Sequence, residues 1–484
     1  MTVIAARGRL RGTALALGTA ATAAGLAAAS AVLPVELVLA GAIALAGAAA
    51  VVLSPQAGLV AVAVFTVLRI PEVATEFHGA PSLFLPLLVL ITLGLLVART
   101  DAARRPRGGV PAAMLVAAFL AVAALSLFAA PDASGVVGTL RGITEDGSVA
   151  VLAGLLLVGT ASLRRLVWAM VLAGGAIGFL AVIQFALGEF GTSFGGFAQW
   201  AVQTIVGTTD DVRISGPVGD PNFFAQWLVM LVPLAVDRFT DETSGRLRLL
   251  GAASALAMTA AIVLTFSRGG VLGLGMVGIL LLARSPRRLR TAALLAAAVA
   301  ALVVLAPAQY FERLGALSGV GGVEAGIDPS VRARTAEMTA AIRMFSADPL
   351  TGVGYGAFAD HYPATVRDLG IDLRATPRQA HNLFLQFAAE MGLAGLLLLA
   401  GIGLAVASAL RRGRRHFRHI SDLRGDGIGY ALAVGLTGYL VTSLFLHLDF
   451  ARLPWLMVGA ALALPRVARI EDDSREAATR GVEP

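Results

Sequence analysis

The sequence predicts an all-α polytopic protein that crosses a membrane about fourteen times, with twelve to fourteen as the bounds. Composition is the first reason. Of 484 residues, 57% are hydrophobic and only 14% charged, and mean hydropathy is +0.80, far from the make-up of a soluble globular protein. The second is length: apolar runs able to cross a hydrocarbon core of about 30 Å recur from end to end. The third is pattern. These Ala/Leu/Val/Gly runs lack the alternation of a barrel strand, which leaves helices, whose backbone satisfies its own hydrogen bonds in lipid. The absence of cysteine excludes disulfides and thiolate metal sites. All 38 basic residues are arginine, which fits codon usage in a GC-rich genome and gives no ground for nucleic acid as a partner.

The first element follows Arg7, Arg9 and Arg11, where an apolar run over 13–33 has the charge order of a signal peptide. It is longer than a signal core, and a second hydrophobic segment starts directly after Pro34, so it is read as a span. Further spans are expected at 35–53, 56–70, 82–98, 110–129, 146–162, 166–187, 222–236, 249–267, 270–283, 291–306, 382–409, 428–446 and 453–466. With the N-terminus in the cytoplasm, the inside loops collect the clusters Arg99 to Arg107, Arg164 with Arg165, Arg238 to Arg248, Arg284 to Arg290 and Arg411 to Arg424. Of the 38 arginines, 26 then lie inside and 12 outside, and no loop after the first short one reverses the bias. The chain accordingly divides into N-terminal helices (1–212), a core (213–409), C-terminal helices (410–466) and a polar cytoplasmic tail (467–484) expected to be disordered.

Two outside loops are long, 188–221 and 307–380, and the second is too long to lack helices of its own. Within it, 330–345 fits a helical period, with Val331, Met338, Ile342 and Phe345 inside about 40° of one meridian. Arg332 and Arg343 share one flank of that stripe and Arg334 the other. The helix suits the outer membrane interface, and it equally suits a cover helix with solvated arginines. Next come Gly352, Gly354 and Gly356, which either let backbone approach a ligand or simply turn the chain. The run lacks the strand and acidic residue of a dinucleotide fold.

Arg268, in Ser267-Arg268-Gly269-Gly270, interrupts a long apolar stretch, where a charge costs about 2.5 kcal/mol or more unless it snorkels or meets a partner. That position asks for an anion. Arg213 precedes Asp220-Pro221-Asn222, a good helix entry that makes no use of the arginine. At the close of the second loop stand His381 and Asn382. An imidazole there can take a proton from a sugar hydroxyl, while capping and packing are the plain alternatives for both residues. The inferred topology puts Arg213, Arg268, Arg332 and His381 on one face. Convergent guanidinium groups suit pyrophosphate, because each binds two oxygens at once and stays charged.

In that order, Arg213 with Gly216 and Pro221-Asn222, Ser267-Arg268-Gly269-Gly270, an arginine-bearing outside helix leading into Pro349-Leu350-Thr351-Gly352-Val353-Gly354, and His381-Asn382 resemble the O-antigen ligase and polymerase superfamily over about residues 213–395. The expected span count is higher than is common among its ligases. The resemblance implies a membrane glycosyltransferase of cell-surface polysaccharide biosynthesis in the cytoplasmic membrane, working on its outer side without metal or other cofactor. Its partners would be an undecaprenyl-diphosphate-linked glycan donor, a glycan or lipid-anchored acceptor, and membrane lipid. Carried over by motif, Arg213 and Arg268 would hold the diphosphate with help from Arg332 or Arg334. His381 would orient or deprotonate the acceptor, and Asn222, Ser267, Gly352, Gly354 and Asn382 would support. Ligase and polymerase both fit. A lipid-linked sugar flippase is a rival, although its path should carry charges from both faces. So is a peptidoglycan polymerase of the shape, elongation and division type, for which Asp348 and Asp360 would be the candidate acids.

Overall fold

A computed structural model describes residues 45–98, 109–127, 136–204, 210–285, 329–371, 376–448 and 451–479. The expected spans at 13–33 and 291–306, and much of 35–53, lie outside them. The chain divides into two compact units, residues 1–58 with 86–105 and residues 59–85 with 106–484. In the first, Gly94 lies close to the backbone of Val51 and Val52. Every candidate residue belongs to the second.

The helices are α1 (Pro55–Leu68), α2 (Ile70–His78), α3 (Phe84–Ala98), α4 (Val110–Leu127), α5 (Val136–Leu156), α6 (Thr160–Leu187), α7 (Pro221–Asp241), α8 (Gly245–Leu264), α9 (Arg268–Arg284), α10 (Pro329–Ala347), α11 (Phe358–Leu369), α12 (Leu383–His419), α13 (Leu423–Thr442) and α14 (Arg452–Thr479). Among the described residues six are long and apolar enough to cross a membrane: α4, α6, α7, α8, α12 and α14. The pair α1 and α2, bent by 52° at Arg69, makes a seventh if it is one span. The expected spans from 56–70 to 270–283 and from 382–409 onward each coincide with helix, yet α3 is shorter than a full crossing. Helix α5 begins ahead of the expected 146, and its first half carries Arg141, Glu145 and Asp146. Arg452 makes that tolerable, donating from Nε to Asp146 at 3.0 Å and from NH1 to Glu72 at 2.6 Å.

Within the second unit α7 is buried along most of its length against α8, α9 and α13, while α12 packs on α4, α10, α13 and α14. Packing rather than solvent exclusion holds helices together in lipid, and small residues let backbones approach. Gly435 of α13 brings it against the Met230 carbonyl, and Gly459 of α14 meets that of Ala150.

Two expectations need correction. The protein is not wholly α: Gln199–Thr204 (β1) and Asp210–Gly216 (β2) form an antiparallel hairpin with Ala201 opposite Arg213, which pairs loop backbone that would otherwise need other partners. The tail is not disordered as far as Thr479. It continues α14, with Val467 and Ala468 buried, Asp472 2.9 Å from His416 Nε2, and Ile420 O accepting from Arg475. Helix α10 forms where expected; towards α11 and α12 it buries Ala336, Glu337, Ala340, Ala341 and Met344, and Ile342 of the expected apolar stripe is exposed.

The glycine run turns the chain, which is the plain reading of it. Gly392 (φ 60, ψ −150) breaks α12 and frees carbonyls and amides on either side. The segment after α10 takes them up in a reciprocal exchange: Val353 N donates to Ala389 O at 2.9 Å and Gly354 N to Glu390 O at 3.0 Å, while Leu393 N donates to Pro349 O at 2.8 Å. A Cβ on Gly352 would collide with the Glu390 backbone, and one on Gly392 would lie 2.5 Å from Leu350. Gly352 and Gly354 therefore bring backbone close to α12, not to an open ligand site.

Candidate functional site

Three helices, α7, α9 and α12, start at one end of the second unit. Each start is capped by a side chain: Asp220 accepts from Asn222 N at 2.7 Å, Ser267 from Gly270 N at 3.2 Å and Asn382 from Leu385 N at 3.0 Å. The turn after α13 ties the starts together. Ser443 O accepts from Leu383 N at 2.9 Å, Ser443 Oγ from Gln226 Nε2 at 3.0 Å, Leu444 O from Asn382 Nδ2 at 3.1 Å, and Phe445 lies against Gly269. Three N-terminal dipole ends thus reinforce a preference for negative charge. Ser267 and Asn382 fill the plain capping role left open by sequence.

Arg213 reaches this region from β2. Its Nε donates to Thr265 O at 2.8 Å and its NH2 to Asn222 Oδ1 at 3.1 Å. That acceptor is free because the chain breaks between α8 and α9, where Phe266 adopts a left-handed conformation (φ 52). The break gives Arg268 its setting as the exposed first residue of α9, between the expected spans 249–267 and 270–283. A cation at a helix N-terminus opposes the dipole. Burial pulls the Arg213 guanidinium down to about 10; Asp220 works against this, and the charges of Arg334 and Arg268 add to it. Arg213 stays charged at neutral pH, with the arginines of α9 and α10 both acting on it. The Arg332 side chain lies outside the described residues.

The charge of Arg334 also acts on His381, which joins the imidazole to the cluster. His381 sits in a left-handed conformation (φ 46) just before α12. Its Nδ1 is aligned with the Gln379 carbonyl at 3.0 Å, and Glu337 Oε2 stands 3.2 Å from the same nitrogen, off the hydrogen-bond line but close in charge. Both acceptors place the ring hydrogen on Nδ1, so in the neutral ring the Nε2 lone pair is the basic one. Among the described residues no hydrogen bond reaches Nε2. Burial lowers the His381 pKa, but Glu337 more than offsets it and the net shift is upward. Glu337 is itself 1% exposed and also accepts from Arg378 NH1 at 3.2 Å. His447 stacks edge-on to His381 with ring centroids 5.4 Å apart; burial, then the positive His381, pushes it down to about 3.

Glu337, Arg378 and His447 were not anticipated from sequence. For Glu337 a signal existed: it lies in the small-residue face Ala336, Ala340 and Ala341, where an acid has to be paired. Asp348 and Asp360, the acids of the peptidoglycan-polymerase alternative, are exposed, and no described contact joins them to the arginines.

Residues 253–400 match the family described as O-antigen ligase. The match includes Arg268, Arg334, Glu337 and His381, whereas Arg213 and Asn222 lie before it and join the site through the hairpin and the start of α7. No curated protein matches the chain.

Proposed function

From the match of residues 253–400 to the O-antigen ligase family, we propose that the chain transfers a glycan from an undecaprenyl-diphosphate carrier to an acceptor hydroxyl at the outer face of the cytoplasmic membrane. One observation carries the reading: Arg268 and Arg334 both act in charge on Arg213, and these three meet a carboxylate-supported histidine at a common end of three helices. Arg213, Arg268 and Arg334 would hold the diphosphate, and Asn222 fixes the Arg213 fork toward it. The acceptor oxygen attacks the anomeric carbon while the bond from that carbon to the phosphate oxygen breaks. The hydroxyl proton passes to His381 Nε2, and undecaprenyl diphosphate leaves with the bonding electrons. Fixed positive charge stabilises what develops on the leaving group, and Glu337 stabilises the imidazolium.

The test uses purified full-length protein in nanodiscs and the lipid-linked glycans that accumulate in cells deleted for it. Appearance of undecaprenyl diphosphate together with a glycan-extended acceptor is the expected result. If both products are absent while the donor still binds, the transferase reading is wrong.

A further inference from the structure

Next to His381 lies a cavity of about 350 Å³ that the diphosphate site does not use. It borders the histidine through two shared residues, Gln379, whose carbonyl accepts from the His381 ring, and His447, which packs on that ring. Phe119, Tyr355 and Trp455 form an aromatic wall, with Phe119 edge-on to both others at centroid distances of 5.5 and 5.9 Å. Polar groups face them. Glu390 is 1% exposed: Oε1 accepts from Phe358 N and Gln386 Nε2, each at 3.4 Å, the Gly356 amide also faces the carboxylate, and Oε2 has no partner at hydrogen-bond geometry. The Nδ1 of His447 is also without a hydrogen bond. A buried carboxylate oxygen left unpaired is costly, and this one belongs to a residue that lines an open space.

We propose that this cavity is the saccharide subsite for the acceptor, with the Glu390 carboxyl group recognising a sugar hydroxyl and the aromatic wall packing on the ring. The chemistry favours a saccharide, because sugar rings present apolar faces to aromatic side chains and hydroxyls at their edges to carboxylates and amides. The volume falls at the small end of ligand sites, about 300–1,000 Å³, which suits a short saccharide rather than a protein segment. The charge argues for acceptor over donor. No arginine is among the lining residues, whose two acids are Asp146 and Glu390, so nothing in the lining matches a diphosphate as Arg213, Arg268 and Arg334 do. Asp146 is already held by Arg452, leaving Glu390 as the recognising acid. The assignment rests on the transferase reading for the word acceptor, while the presence of a saccharide site can be read without turnover.

Helix α5 supplies the means of testing it. Gly138, Thr139, Gly142, Ile143 and Asp146 line the cavity at helical spacing, and a side chain at 142 meets nothing within 4 Å of its Cβ. Gly142→Leu should fill the space without a clash and with better helix propensity. Full-length protein is photolabelled with diazirine-bearing methyl glycosides of hexoses and N-acetylhexosamines, and the adducts are mapped by mass spectrometry. Adducts are expected at Tyr355 and Trp455, displaced by excess unlabelled glycoside and reduced at least tenfold in Gly142→Leu and in Glu390→Gln. Arg268→Lys should lose donor binding yet keep these adducts. Labelling that avoids the cavity, or that survives Gly142→Leu in protein of unchanged melting temperature, overturns the proposal. Competed cavity labelling with no glycan transfer by the wild type would leave a saccharide site standing and sink the transferase reading, and hence the acceptor role.

Discussion

A planar guanidinium and a compact ammonium carry the same charge, and the difference between them separates a ligand-binding arginine from one that merely snorkels. Arg268→Lys should insert and melt normally but lose about 100-fold or more in transfer; turnover near the wild-type rate would remove Arg268 from the site. For His381, binding and chemistry should part: His381→Ala is expected to lower transfer by about 10²–10⁴ while donor affinity stays within a few fold. Parallel loss of affinity, melting temperature and turnover would make the residue structural. Glu337 offers a pH test with a defined sign. Its charge raises the His381 pKa against burial and Arg334, so Glu337→Gln should move the acid limb of the pH–rate profile to lower pH. The same pair contributes to stability. Because the folded-state pKa is raised, that contribution is fully present below the unfolded value of about 6.5 and is lost as pH rises through the folded value. The melting-temperature gap between wild type and Glu337→Gln should therefore narrow from about pH 5.5 to about pH 8.5.

A helix break is where irregular backbone reaches membrane depth, and it is tolerated only when its freed groups find partners. Two breaks shape this protein. The one between α8 and α9 releases Thr265 O to Arg213 and exposes Arg268. The one at Gly392 is filled by the strand-like exchange with residues 349–354, which locks the segment leading out of α10 onto the helix that begins beside His381. Gly392→Ala would add a Cβ against Leu350 and demand a backbone conformation that side chains avoid, costing about 1–3 kcal/mol from conformation alone. Thermal melting of purified protein should show the loss, and since the exchange positions α10, His381-dependent transfer should fall with it. An unchanged melting temperature would mean that the exchange is not a structural clamp. By contrast Ser267→Ala, which removes only a cap, should cost about 1 kcal/mol and leave turnover per folded molecule intact.

The second unit carries the candidate arginines and His381 at one end and a dense set of arginine–carboxylate pairs at the other. At the latter end Arg238 donates to Asp237 and Glu242, and Arg284 and Arg414 share Asp426. These pairs satisfy charge locally. Arginine bias assigns that end to the cytoplasm, and cysteine accessibility in this cysteine-free chain tests it. Gly191→Cys and Gly370→Cys should be labelled by an impermeant maleimide in intact cells, and Thr243→Cys only after permeabilisation. Labelling of Gly370→Cys solely from the cytoplasm would invert the site and with it the identity of the donor.

Hydropathy and arginine bias determined the helical membrane character and most helix positions, because both depend on local composition: an apolar run of sufficient length has no other way to satisfy its backbone in lipid. Caps were legible for the same reason, since Asp220, Ser267 and Asn382 act within three residues of themselves. Arg213, Arg268 and His381 could be singled out as residues that a purely apolar helix does not need. What holds them was decided only in three dimensions. Asn222 and the Thr265 carbonyl on Arg213, Glu337 under His381, the exchange across Gly392 and the cavity before Glu390 all join segments distant along the chain, and a local period carries no information about such partners. The packed face of α10 shows the limit most plainly: the helical period picks out Val331, Met338, Ile342 and Phe345, while the face buried against α11 and α12 is that of Ala336, Ala340 and Ala341, because which face packs is set by partners distant along the chain.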